Sequence, residues 1–388
     1  LADPLPRVGY VVAYFHPFES GAERQALLQG AELVRRGGTV HVITHAVPGV
    51  PREENVRGLH VHRWVRSSKT GPLFAPTFVA GVVRALNSLR GEIDLVHTHQ
   101  ALWEAVGTGA AKLGGLRLPT LVQPASSGYF GEADELNRTR GRAVLRRLIL
   151  RNDAFAAISA DIADQWRVLG VPADRLARTC SGVDADHFRP GPPDPAIERT
   201  LPSGPRVVFT GRLHPQKNLD LLLDAWPAVA RQTNANLLMI GHGPDRDRLA
   251  ARAKALGVAD SVHLLGAVPD PAEHLRAAVA FVLPSVAEGM SNSLLEAMST
   301  GLPCLATAIG GNTDLIRDRE SGRLLPPDRS SDWSEALIEI LEDPAASLAL
   351  GAAARATIEA QFALPVVVDR YVELYRRLLA GGPINGPG

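Results

Sequence analysis

The sequence predicts an α/β protein built from two doubly wound parallel-sheet domains facing a cleft. Three observations carry this. Short strands and helices alternate along the chain. The strands are continuous apolar runs, as in buried parallel sheets, rather than polar–apolar alternations. The alternation pauses once, over a Pro-, Gly- and Asp-rich stretch at 181–205, and then restarts. A chain of 388 residues also suits two domains better than one.

The elements follow in order. An apolar run at 8–15 reads as a strand; Ser20 caps a helix over 22–36 that Gly37-Gly38 ends. Strands follow at 40–44 and 59–64, a helix at 76–89, a strand at 94–98, a helix at 101–113, and a strand at 120–123. A basic helix at 142–151, a strand at 154–158 and a helix at 160–169 complete the first half. Past the 181–205 linker, the strands are expected at 207–210, 235–240, 262–265, 279–284 and 304–307. The helices between them are expected from Asn218, as cap, towards Arg231, and at 245–256 and 292–300, with more at 331–341 and from 346 onward. The domains are therefore 1–183 and 184–362.

Hydrophobic residues are 45% and charged residues 21% of the chain, an ordinary globular balance. Net charge is zero, without the basic excess of a nucleic-acid binder. The zero conceals an asymmetry: 23 basic against 18 acidic residues in 1–190, and 18 against 23 thereafter. Cys180 and Cys304 are the only cysteines, which excludes a disulfide framework and fits a reducing compartment. No stretch approaches the ~20 apolar residues of a membrane span. Leu1-Ala2-Asp3-Pro4 shows no basic-then-apolar signal pattern. Cytoplasmic location is the expectation. Lysine occurs only at 69, 112, 217 and 254, an arginine bias that fits a GC-rich bacterial genome.

In open α/β sheets ligands bind beyond the carboxyl ends of the strands, so the loops there are the place to seek chemistry. Gly211-Arg212-Leu213-His214-Pro215-Gln216-Lys217-Asn218 sets two cations before a helix N-terminus, the combination a diphosphate needs. It also reads as a plain solvated loop. In the segment 284–297, Glu288 sits in a loop and Glu296 in the first turns of a helix; one suits sugar hydroxyls, the other a ribose. Capping boxes, Ser285 with Glu288 and Ser293 with Glu296, explain the same spacing. Gly21, in Ser20-Gly21-Ala22-Glu23, would let a phosphate approach backbone N–H groups.

Together these segments resemble the retaining glycosyltransferases of family four, which have the GT-B fold of two Rossmann-like domains. The matching positions are Gly21; Gly211, Arg212, Lys217 and Asn218; and Glu288 and Glu296 followed by 297–303. Others are Ile158-Ser159-Ala160, Ser181-Gly182-Val183-Asp184 with Phe188-Arg189-Pro190, Gly241-His242-Gly243-Pro244, and Gly310-Gly311-Asn312. The resemblance implies that Arg212 and Lys217 hold the donor diphosphate, with Gly21 and Gly211 against it. Glu296 would bind the ribose, Val268 would lie near the base, and Glu288 would meet the donor sugar. Gly289, Met290, Ser291 and Asn292 would line the sugar pocket. It implies no metal and no cofactor beyond the nucleotide sugar, with UDP-hexose the commonest donor. The first domain would bind the acceptor, a glycan, lipid-linked or small-molecule hydroxyl, and a C-terminal helix at 365–380 would pack back on it.

The sequence departs from the family at 123–132, where a His-Gly pair is usual and Gln123-Pro124-Ala125-Ser126-Ser127-Gly128-Tyr129-Phe130-Gly131-Glu132 stands instead. Ser126 and Ser127 are acceptor-site candidates or a turn. His97 and His99 share one side of a strand and point towards the cleft on this reading, with His99 the catalytic candidate. Asp184-Ala185-Asp186 spells a metal motif of a different glycosyltransferase fold but lies in the linker. The broken dinucleotide fingerprint 241–244 and the pair His60 and His62 lack the partners that NAD or a metal needs. Arg138, Arg140, Arg142, Arg146, Arg147 and Arg151 surround an apolar stripe, which fits a peripheral contact with an anionic membrane or an ordinary packed helix. Two other readings compete with a transferase. One is a sugar-nucleotide epimerase using Asp94, Glu104 or Glu132; the other is a silent nucleotide-sugar sensor.

Overall fold

The computed structural model describes residues 4–18, 20–68, 71, 73–128 and 131–384. Leu1–Asp3, Lys69 and the Tyr129-Phe130 pair of the sequence reading lie outside the described residues. The chain divides into two compact units, Leu1–Gly182 with Leu364–Gly388, and Val183–Ala363.

Unit 1 runs β1 (Arg7–Val11), α1 (Gly21–Arg35), β2 (Thr39–His45), β3 (Glu53–Val56), β4 (Leu59–Val65), α2 (Phe74–Leu89), β5 (Leu95–His99) and α3 (Trp103–Leu113). It continues through β6 (Thr120–Gln123), α4 (Glu132–Arg138), α5 (Arg142–Ile149), β7 (Ala154–Ala157), α6 (Ala160–Val168) and β8 (Leu176–Arg178). Its sheet order is β3-β4-β2-β1-β5-β6-β7-β8. All pairs are parallel except the edge pair of β3 and β4, an antiparallel departure from the expected all-parallel sheet. The chain starts at β1, builds one way, then returns to place β5 on the other side of β1. The order reverses there, and a doubly wound sheet opens its ligand crevice at that point. Helix α2 seals one face: Phe78, Val82, Leu86 and Leu89 pack on Val11, Ile43, Val65 and Val96. Each such side chain, fully buried, stabilises by roughly 1.5–3 kcal/mol.

Unit 2 holds α7 (Pro195–Glu198), β9 (Arg206–Thr210), α8 (Leu219–Thr233), β10 (Asn236–Ile240), α9 (Arg246–Ala255), β11 (Val262–Gly266), α10 (Ala272–Arg276), β12 (Ala280–Leu283) and α11 (Asn292–Ser299). It ends with β13 (Cys304–Thr307), α12 (Asn312–Leu315), β14 (Arg323–Leu325), α13 (Ser330–Glu342) and α14 (Pro344–Thr357). Its sheet is parallel throughout, in the order β11-β10-β9-β12-β13-β14, and reverses between β9 and β12. Trp226 of α8 and Trp333 of α13 are fully buried beneath it.

The last helix, α15 (Leu364–Leu379), belongs to unit 1. Its Tyr371 hydroxyl donates to Gln123 Oε1 at 2.8 Å, and its Tyr375 hydroxyl lies 2.8 Å from His97 Nδ1. Arg370 Nη1 donates to Cys180 Sγ at 3.1 Å.

Three expectations change. Most of the 181–205 stretch is not a free linker, because residues from Val183 on are folded onto unit 2. Phe188 is buried; its carbonyl accepts from Ser299 Oγ at 2.6 Å and from Arg355 Nη1 at 2.8 Å. The first strand stops at Val11, and 12–18 leave the sheet as its carboxyl-end loop. Asn218 precedes α8, but its side chain does not cap the helix: the residue sits at φ +50° and Nδ2 donates to the Pro327 carbonyl at 2.9 Å.

Candidate active site

In unit 2 the order reversal sets the loop after β9 beside the loop after β12, and the polar residues singled out in the sequence meet there. Lys217 Nζ donates to Glu288 Oε1 at 2.5 Å, and both side chains are largely buried. Ser285 Oγ donates to the same oxygen at 2.6 Å. Gln216 ties the loops together twice: Val286 N donates to its carbonyl, and its Nε2 donates to the Ala287 carbonyl, each at 2.9 Å. Arg212 is exposed and has no ion pair among the described residues. The site thus offers one solvent-facing cation and one cation held against a carboxylate.

Glycines let the loops close up. Gly241, after β10, adopts φ +147°, and a Cβ there would overlap the Gly211 carbonyl, so only glycine allows this approach. Gly211 N donates to the Ile240 carbonyl and Leu213 N to the His242 carbonyl, both at 2.9 Å. The 241–244 segment is therefore the packing partner of the Gly211–Asn218 loop. Gly311 does the same beside β12: a Cβ there would overlap the Gly289 carbonyl.

Helix α11 begins at this place. Ser291 Oγ accepts from Leu294 N at 3.4 Å as its cap, so the Ser293–Glu296 capping box does not form. Glu296 lies inside the helix, five residues after the cap, and is buried with Gly289, Met290 and Ser291, while Asn292 is partly exposed. Ser285 and Glu288 do interact, but at a loop rather than at a helix start. Val268 is half-buried in the loop after β11.

Sequence reasoning missed the layer behind Glu288. Thr307 Oγ1, at the end of β13, donates to the Ser285 carbonyl at 2.5 Å, and Asn312 Nδ2 donates to the Thr307 carbonyl at 3.1 Å. Ser285, Thr307 and Asn312 have no exposed surface. The available signals were the Ser285–Glu288 spacing and the Gly310-Gly311-Asn312 match.

The remaining candidates are gathered in unit 1 around its own order reversal. Gly21 opens α1 and is exposed. Ser20 N donates to Glu23 Oε2 at 3.1 Å, the return bond of a capping box. Ser126 is held in a turn by Glu132, whose carboxylate accepts from Ala125 N at 2.8 Å, Ser126 N at 2.9 Å and Ser126 Oγ at 3.2 Å; Ser127 is buried. His97 does not point outward: it is fully buried against Tyr375 of α15, a structural histidine. His99 is also fully buried, its ring 4.5 Å from that of Tyr10 and 4.2 Å from that of His97. Neither of its nitrogens has a hydrogen-bond partner among the described residues, and burial pushes its pKa down to about 3. Glu104, in the first turn of α3, is buried, and desolvation raises its pKa to about 8. Asp94 drops out as a catalytic carboxylate. It pairs with Arg7 at 2.7 Å at the amino ends of β1 and β5, opposite the ligand-binding end.

Among the described residues no group of three or more His, Cys, Asp or Glu could hold a metal ion. Asp184 Oδ1 instead accepts from Asp186 N at 3.2 Å and His187 N at 3.1 Å, closing a turn. No helix among the described residues is long and apolar enough to cross a membrane.

Residues 20–187 match the family described as Glycosyltransferase Family 4, and residues 204–343 match Glycosyl transferases group 1. A D-inositol 3-phosphate glycosyltransferase of Catenulispora acidiphila is 31% identical over 88% of this chain and 82% of its own length. The chain belongs to the family 4, group 1 glycosyltransferases. A GDP-mannose-dependent phosphatidylinositol monomannoside mannosyltransferase of Mycobacterium tuberculosis is 32% identical over 61% of this chain and 64% of its own. Among solved structures, Anabaena HepE in complex with UDP-glucose superposes with a TM-score of 0.78 at 19% identity, over 95% of this chain and 99% of that one. The fold is that of the GT-B glycosyltransferases. This family 4 member is a glycosyltransferase with a sugar-nucleotide donor.

Proposed function

We propose that the enzyme is a retaining, metal-independent hexosyltransferase whose donor site is the β9–β12 reversal of unit 2. The observation that carries this is the Lys217–Glu288 pair there, with the exposed Arg212 in the same loop as Lys217. A departing diphosphate carries charge that must be offset. Arg212 stands exposed and without an ion pair among the described residues, Lys217 has an alternative partner in Glu288, and α11 turns its N-terminus to the same loops. Gly211 lets the phosphates approach the backbone. Glu288 accepts from the sugar hydroxyls, Gly289 to Asn292 line the sugar pocket, Glu296 accepts from the ribose, and Val268 flanks the base. The diphosphate oxygen itself takes the acceptor's proton. In unit 1, Gly21 is assigned to the diphosphate by family likeness; Ser126 and Ser127, which stand where the family has its His-Gly pair, are the acceptor candidates, and His99 is the catalytic candidate from its place on β5.

UDP-hexose is the donor expected first, in keeping with the bound ligand of HepE; the mannosyltransferase relative makes GDP-mannose its main competitor. The acceptor is a hydroxyl on a glycan, a lipid-linked sugar or a small polyol. The enzyme works in the cytoplasm. A peripheral contact with an anionic membrane runs through 138–151, where Arg142, Arg147 and Arg151 are exposed beside Val144. Flotation with phosphatidylglycerol vesicles checks that contact; binding lost in about 0.5 M salt is expected, and no binding at low salt removes it.

The test of the function is a transfer assay in EDTA. UDP-glucose, UDP-galactose and GDP-mannose are offered with inositol, inositol phosphate and phosphatidylinositol acceptors, and the anomeric proton of the product is read by NMR. An α-linked product from an α-linked donor, formed without metal, is the expected result. A β-linked product, or turnover that EDTA abolishes, contradicts it.

A further inference from the structure

Glu288 presents one oxygen, Oε1, to two donors of different kinds. Lys217 Nζ reaches it from the loop after β9, and Ser285 Oγ from the end of β12, the strand whose loop carries Glu288 itself. The two are not equivalent. Lys217 sits on a flexible four-carbon stem, and the proposed function asks it to turn to a diphosphate. Ser285 cannot follow: it has no exposed surface, its carbonyl is held by Thr307 Oγ1 at 2.5 Å, and Thr307 is held in turn by Asn312. The Glu288 carbonyl is tied to the same neighbourhood through Gly311 N at 3.3 Å.

We propose that Ser285 is a positioning residue, whose buried hydroxyl keeps the Glu288 carboxylate aimed at the donor sugar when Lys217 leaves it for the diphosphate. This rests on the reading of Glu288 as the sugar contact. Without Ser285, departure of the ammonium would take both of these donors from Oε1, and with them the aim of that oxygen. With Ser285, Glu288 exchanges one partner and keeps its place. The backbone bond from Thr307 does not depend on the Ser285 hydroxyl, so deleting the hydroxyl should cost orientation rather than fold.

Calorimetry on the intact enzyme tests this without knowing the acceptor. UDP is titrated against UDP-glucose, and GDP against GDP-mannose, for wild type, Ser285→Ala, Ser285→Thr and Glu288→Gln. For Ser285→Ala, affinity for the nucleotide sugar should fall roughly tenfold, since a hydrogen bond to a charged group is lost. Affinity for the bare diphosphate should stay within about twofold, with the melting temperature nearly unchanged. Ser285→Thr restores the hydroxyl and should regain most of the sugar-dependent affinity. If Ser285→Ala binds both ligands like wild type while Glu288→Gln loses the sugar conjugate, the proposal falls and the site reading stands. Equal loss of both ligands, or a lowered melting temperature in step with affinity, makes Ser285 merely structural and also overturns it. If Glu288→Gln binds the sugar conjugate normally, the reading of Glu288 itself is wrong.

Discussion

The two units are wound alike, and the ligand-binding ends of their sheets differ in chemistry. Residues 1–190 carry the basic excess of the chain, yet the loops and helix starts at the carboxyl ends of β1, β5 and β6 present Glu23, Glu104 and Glu132, two of them with pKa values raised by burial. Unit 2 lies in the acidic remainder, yet its reversal point carries Arg212 and Lys217 along with Glu288 and Glu296. Bulk charge therefore says little about a site. A few loop residues at a reversal point decide which ligand each sheet favours, and the rest of the surface charge is solvated.

The largest effect should come from breaking the Lys217–Glu288 pair. Lys217→Ala and Glu288→Ala should each lower kcat by roughly 10²–10³, the usual loss when one electrostatic contact to a transition state is removed. Both variants should remain folded by circular dichroism, and near-normal turnover in either would remove that residue from the mechanism.

Arg212→Ala separates charge from packing. An exposed charged side chain adds little to stability, so the melting temperature should hold within about 1 °C. Nucleoside diphosphate affinity should fall by about 10–100-fold, the loss of a charge-assisted contact of roughly 1.5–3 kcal/mol. Unchanged affinity would place the diphosphate elsewhere.

Acid should discriminate between the units. Burial lowers the pKa of His41, His45, His62, His97 and His99 in unit 1, against His263 and His274 in unit 2, and the two fully buried imidazoles are both in unit 1. A folded-state pKa below 6.5 means that the unfolded chain binds protons first, so the stability present above pH 6.5 is lost as pH falls below it. Each fully buried imidazole costs about 1.4 kcal/mol per pH unit in that range. Hydrogen exchange at pH 7 and pH 5.5, corrected for intrinsic rates, should show β1, β5 and α15 loosening before the unit 2 sheet. Equal loosening would contradict the account.

The smallest effect runs the other way. Glu104 is held neutral, with a pKa near 8, so its folded form is favoured at low pH and that advantage fades as pH rises from 4.5 towards 8. Glu104→Gln, which cannot ionise, should raise the melting temperature by about 2–4 °C at pH 8.5 and hardly at pH 5. No gain at pH 8.5 would show that the carboxyl has a charged partner in solution.

What the sequence revealed follows from how local each signal is. Buried parallel strands such as 120–123 and 304–307 announce themselves as apolar runs. The edge strand β3, Glu53-Glu54-Asn55-Val56, has no such run, and the three-residue strands β8 and β14 are too short to show a pattern. Arg212, Lys217, Glu288 and Glu296 were legible because the residues of each loop are adjacent in sequence. The hold of Thr307 on Ser285 was not, since it depends on β12 lying beside β13. The contact of Gly241 with Gly211 likewise needs the sheet order. Burial also separated two histidines that sequence treats alike: His97 has a phenol partner and His99 has none among the described residues.

The central claim is that the β9–β12 reversal of unit 2 binds a nucleoside diphosphate through Arg212 and Lys217 without a metal. The most direct measurement is calorimetric titration of the protein with UDP, GDP and ADP in EDTA, repeated with Arg212→Ala and Lys217→Ala. The account predicts saturable binding of one diphosphate, UDP first in expectation, weakened at least tenfold by either substitution. Absence of binding for all three, or binding that both substitutions leave untouched, would contradict it.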